Sequence, residues 1–184
     1  MKKPLDEGVS VKVAIASTTL SLALSIGLTT PAADAAVYTN GTATATFNVT
    51  LTLQPNCTIA ANPLAFGTNG VLATAINQQT TVSVTCTNTT PYNVGLDAGS
   101  VTGSSVASRL MAGTSTGNTT TTVDFQLYQD AGRTTIWGNT QGTNTVAGTG
   151  TGAAQALTVY GQVPAQATPK PDTYQTTVTA TVYF

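Results

Sequence analysis

The chain has no histidine, and Glu7 is its only glutamate. Without them a Ser-His-Asp or Cys-His pair, an HExxH zinc site and a Glu-paired glycosidase site cannot be assembled. Charge is scarce too, since Lys, Arg, Asp and Glu together make up 7% of the residues. Beyond residue 35 the charges are Arg109, Arg133 and Lys170 against Asp97, Asp124, Asp130 and Asp172, so three minus four leaves a net charge of −1. No basic face is available for nucleic acid or anionic lipid. Two of those aspartates could in principle hydrolyse a sugar bond. Asp130, however, falls in a turn and Asp172 beside prolines, where carboxylates cap or solvate the backbone. Asp124 and Arg133 are placed to pair across a hairpin, as a surface bridge worth little. No metal-ligand cluster and no cofactor motif is present, so an enzyme is not expected.

An apolar run long enough to span a bilayer is also missing. Lys2, Lys3 and Lys12 lead into "VAIASTTLSLALSIGL", which is short of the ~20 apolar residues of a spanning helix and carries Ser and Thr. It is followed by "AADAAV", with small residues around a cut expected after Ala35. This is the layout of a secretory signal peptide over residues 1–35. The mature chain is expected to start near Ala36, to be exported, and to keep no stable membrane insertion after cleavage. Its remaining length suits one domain.

Two cysteines in an exported chain are most economically one disulfide, with two unpaired buried thiols as the alternative. Cys57 and Cys86 end the alternating runs "TLTLQPNC" and "TTVSVTC", so a bridge between them would staple neighbouring strands.

What is abundant is Thr, Ala, Gly, Val and Asn, a mixture of strand and turn formers. "PLAFGTNG" reads as a short apolar run followed by a turn, and "TTVSVTC" and "PYNVGLDAGS" alternate between turn residues. "VDFQLYQDAGRTTIWGN" reads as a hairpin with Val123, Phe125 and Leu127 inward, "DAGR" as its turn, and Ile136 and Trp137 opening the return strand. "AAQALTVYGQVP" and "TYQTTVTATVYF" supply two more strands. "TGSSVASRLMAGTSTGNTTTT" and "GNTQGTNTVAGTGTGAA" are too poor in large apolar residues for core, and are expected as exposed loops or edge hairpins. Short strands at this spacing predict an all-β sandwich.

One run is too long for such a domain. From Thr42 to Cys57 the chain alternates almost without a break, with Ala43, Ala45, Phe47, Val49, Leu51 and Leu53 on one face. At about 3.3 Å per residue it would be roughly twice a modal strand. It is either an ordinary first strand bent at Pro55, or two segments with different destinations.

The words "PLAFG", "VSVTC", "QLYQDAGRTTIWG", "GTGTGAAQALTVYGQVPA" and "TYQTTVTATVYF" resemble, in order and spacing, the spore coat protein U domain family. That family includes pilins of archaic chaperone-usher systems. Asp172 departs from the glycine that many relatives carry before the Thr-Tyr pair. The resemblance implies an incomplete immunoglobulin-like β-sandwich that lacks its last strand and is completed by donor-strand exchange. The strand would come first from a periplasmic chaperone, then from the N-terminal extension of the next pilin, by addition to an open edge. An outer-membrane usher would be a further partner.

The residues fit that expectation. The final strand places Tyr174, Val178, Ala180, Val182 and Phe184 on one face with nothing beyond Phe184 to cover the edge. The extension, residues 36–51, would present Ala43, Ala45, Phe47, Val49 and Leu51 to a neighbour, while residues 52–184 form the home sandwich. The function expected is a structural subunit of a surface pilus supporting adhesion and biofilm formation. The alternative is a secreted spore-coat protein, or a tip adhesin using Trp137 and Tyr128 for a glycan.

Overall fold

The alternation written into "TTVSVTC" becomes the longest strand of a two-sheet sandwich. The structure, a computed structural model, describes residues 40–184, so the signal peptide and its cut lie outside the described residues. Residues 49–184 make one compact unit and residues 40–48 belong to another. The strands are β1 (Cys57–Ala61), β2 (Ile76–Cys86), β3 (Pro91–Leu96), β4 (Arg109–Gly113), β5 (Thr122–Tyr128), β6 (Val146–Thr149), β7 (Ala154–Val163), β8 (Tyr174–Gln175) and β9 (Ala180–Tyr183). One sheet has the order β1-β2-β7-β5-β4-β8 and the other β6-β3-β9. Every described ladder is antiparallel.

Val82 and Val84 of β2, Val94 and Leu96 of β3, Phe125 and Leu127 of β5, and Val159 and Val163 of β7 meet between the sheets as the buried core. Their strands alternate because one face packs inward and the other meets solvent. Cys57 lies directly opposite Cys86 in the β1–β2 ladder, and a disulfide joins them.

Four expectations are corrected. The long alternating run is not one strand: residues 40–56 form none, and the home strand begins at Cys57 rather than at residue 52. A strand exists only where a neighbour satisfies its backbone, and the β2 ladder ends at Cys57. The final run splits, β8 pairing with β4 in one sheet and β9 with β3 in the other. The return strand of the hairpin is reduced to a single Tyr128–Ile136 bridge beyond a turn closed by Arg133 N–H on Asp130 C=O at 3.0 Å. Finally, the Thr- and Ser-rich stretch before residue 122 contains β4, an interior strand.

Arg109 opens this interior strand and ties it to both sheets. Its side chain is fully buried. Nε donates to Asp97 C=O at 2.8 Å, Nη2 to Leu96 C=O at 2.9 Å and Trp137 C=O at 2.7 Å, and Nη1 to Val106 C=O at 3.3 Å and the Gln126 side-chain oxygen. Burial pulls the guanidinium pKa down to about 10, against the nearby charge of Asp97. The charge is a cost to folding, and the converging acceptors offset it.

Replacing Arg109 with Met should orphan those acceptors and lower stability by about 3 kcal/mol or more. The check is a urea midpoint followed by the fluorescence of Trp137, the one tryptophan, whose carbonyl is among the acceptors. A midpoint unchanged from wild type would contradict this account.

Candidate functional site

The sandwich is open along one side. Beyond β1 the chain runs through residues 62–72 without regular structure, and before β9 it crosses between the sheets through residues 176–179. Between these two walls lies a groove made of two clefts of about 870 and 520 Å³. They share Leu64, Phe66, Met111 and Tyr174, so they are continuous. The floor of the smaller cleft is the core itself, with Val82, Leu96, Phe125, Leu127 and Val159.

The first wall is held by two apolar side chains. Leu64 and Phe66 sit over Gly161, where any Cβ would collide with Leu64, and the Phe66 ring meets Phe125 edge-on at 6.5 Å. The second wall is held from behind. Thr179 N–H donates to the Asp97 carboxylate at 2.9 Å, and Thr177 N–H to the Ser100 hydroxyl at 3.1 Å. Among the described residues β9 pairs only with β3, so its outer edge is open. β1 approaches β9 without a ladder between them.

The rim of the larger cleft depends on Asp172. Its carboxylate accepts from Asn118 Nδ2 at 2.6 Å, the Ser115 hydroxyl at 2.8 Å, Ser115 N–H at 3.1 Å and Thr173 N–H at 2.8 Å. The hydrogen bonds of Asn118 and then Ser115 hold it well below the usual carboxylate range. The local turn at this position is thus tied to the β4–β5 connection.

Tyr174, Val178 and Ala180 line the groove. Val182 does not; it lies in the β9–β3 ladder opposite Val94 and packs on the core. Phe184 is 60% exposed, so the expected shared face stops short of it. Ala43, Ala45, Phe47, Val49 and Leu51 are all exposed, Phe47 and Val49 at 85% each. Leu64, Phe66, Leu96, Met111, Phe125 and Val159 were not foreseen as groove residues. The apolar run "PLAFG" holds Leu64 and Phe66, and nothing local marks the other four.

Trp137 is core, 1% exposed, with its Nε1 donating to Val94 C=O at 2.8 Å, so it cannot offer a ring to a glycan. Arg133 does not pair with Asp124. Its guanidinium instead donates to Ala131 C=O at 3.1 Å and Gly161 C=O at 3.3 Å. Among the described residues no group of three or more His, Cys, Asp or Glu could hold a metal ion. No described helix is long and apolar enough to cross a membrane.

Fold and groove together define an all-β, immunoglobulin-like sandwich module left open along one edge. The chain belongs to the Spore Coat Protein U domain family, whose model matches residues 43–181. Among solved structures it is similar to a chain in the CsuC–CsuE chaperone–tip adhesion subunit pre-assembly complex from archaic chaperone-usher Csu pili of Acinetobacter baumannii. The TM-score is 0.52 at 24% identity, covering 72% of this chain and 40% of that one. The chain therefore spans well under half of that neighbour. Comparison with curated proteins finds no match.

A carboxylate held below its unfolded pKa stabilises the fold above that value and loses the contribution as pH falls toward the folded one. Wild-type stability should therefore fall in acid below about pH 4. Asp172→Asn should give a shallower acid dependence, with part of the slope remaining because hydrogen bonds from Thr135 and Thr134 also depress Asp130. Urea midpoints between about pH 7 and pH 3 check this, and identical slopes would refute it.

Proposed function

We propose that the protein is a structural subunit of a surface fibre, polymerised by donor-strand insertion. Residues 37–51 of one copy enter the groove of the next, residues 37–39 lying outside the described residues. The carrying observation is a matched pair of defects. Phe47, Val49 and Leu51 are large, in phase, exposed and without a home strand, while the groove opens the core between Leu64–Phe66 and Tyr174–Ala180. An exposed apolar groove beside an open strand edge is an aggregation hazard unless it is filled. Burying those three side chains contributes about 5–8 kcal/mol as an upper value, before the backbone ladder is added.

In this reading a periplasmic chaperone occupies the groove until an outer-membrane usher exchanges it for the next subunit's extension. Identical or related subunits then form an extracellular fibre supporting adhesion and biofilm formation. Family membership and the likeness to a chain from a pilus chaperone–subunit complex support the reading. No chemical step is assigned to it, and it needs no cofactor. A spore coat assembled by the same exchange is the second reading, favoured by the family's description.

Phe47→Asp places a charge in a dry groove, at a cost of several kcal/mol. Co-expressed with its chaperone and usher, the variant should keep its chaperone complex and lose the heat-resistant polymer ladder on an unboiled gel. Loss of both species would mean that Phe47 belongs to the subunit's own core. A normal ladder would mean that it is not buried anywhere.

A further inference from the structure

The free segment is longer than the expected extension. Leu53 keeps the phase of Phe47, Val49 and Leu51, and it too is exposed, at 78%, with no strand around it. Among the described residues the first hydrogen bonds from this segment to the sandwich come at Asn56. There Asn56 N–H donates to the Thr87 hydroxyl at 3.1 Å, and Thr87 N–H donates to Asn56 C=O at 2.9 Å. β1 and its disulfide follow at once at Cys57.

The groove does not end with the smaller cleft. Past Tyr174 its apolar lining continues into the larger cleft through Met111, Val123, Ile76 and Val163. Inserted as a strand, the face from Ala43 to Leu51 covers about 26 Å, and the face from Ala43 to Leu53 about 33 Å. Leaving Leu53 out would abandon a large side chain to solvent beside an unfilled apolar cleft.

Resting on the donor-strand reading, we infer that Leu53 is the sixth inserted residue and that Gln54 and Pro55 are the entire linker between subunits. The geometry that follows is tight. From Leu53 to Asn56 the chain reaches at most about 11 Å, and Pro55 has its φ locked by its ring. The disulfide end of each subunit, where Thr87 and Thr90 share a hydroxyl contact of 2.6 Å, therefore abuts the groove mouth of the next. Consecutive subunits are coupled closely rather than hung on a flexible tether.

The test compares Leu53→Asp, Leu53→Ala and Phe47→Asp in the full chain, co-expressed with its chaperone and usher. Leu53→Asp should retain the chaperone complex and lose the polymer ladder, as Phe47→Asp does. Leu53→Ala should polymerise into a ladder that dissociates at a lower temperature than wild type. A wild-type ladder from Leu53→Asp, alongside loss of the ladder in Phe47→Asp, overturns the sixth position and leaves donor insertion standing. A normal ladder from Phe47→Asp instead overturns donor insertion itself. Loss of the Leu53→Asp chaperone complex assigns Leu53 to its own subunit and also overturns the inference.

Discussion

A single buried cation organises the sandwich. Arg109 draws acceptors from Leu96 and Asp97 at the end of β3, Val106 in the preceding loop, Gln126 on β5 and Trp137 after the hairpin. Val106 is three residues away, but the other segments are separated in sequence and belong to both sheets. A guanidinium away from water is tolerated only where its donors are matched, so its presence requires that they converge. Gln126 serves as a second hub, its amide nitrogen donating to Val106 C=O at 3.0 Å and Ala107 C=O at 3.1 Å. The loop before β4 is thereby fastened through its own backbone carbonyls.

The groove inherits its shape from that hub. Leu96 supplies both an acceptor for Arg109 and a side chain for the groove floor. Asp97 uses its carbonyl for Arg109 and its carboxylate for Thr179 on the groove wall. A wall fixed from behind, whose outward edge has no ladder, is suited to accepting a strand, because it is held in place before the strand arrives. The other wall is different in kind, since Leu64 and Phe66 pack over Gly161. One side of the groove is thus set by hydrogen bonds and the other by packing.

Asp172 shows how one side chain can fix a turn. Its carboxylate accepts five hydrogen bonds, from Thr114, Ser115, Asn118 and Thr173. The turn is then specified by side-chain acceptance rather than by backbone freedom.

By itself the sequence determined what depends on local pattern and composition. Alternation identified β2, β3, β5 and β7, because a strand with one buried face must repeat every second residue. It likewise marked the exposed face of Phe47, Val49 and Leu51. The ends of "TLTLQPNC" and "TTVSVTC" placed two cysteines side by side. The absence of histidine and the single glutamate, Glu7, ruled out the His- and Glu-based catalytic arrangements before any fold was considered. Tertiary structure alone decided where alternation stops being a strand. Residues 42–55 carry the alternating run and have no ladder, and the final run has one period and two sheets. It also decided the burial of Arg109, which no periodicity announces, since a charged residue in a Thr- and Ser-rich stretch looks like surface until acceptors from Leu96, Asp97, Gln126 and Trp137 surround it. Pattern is a property of neighbours in the chain, whereas pairing, cages and grooves are properties of neighbours in space.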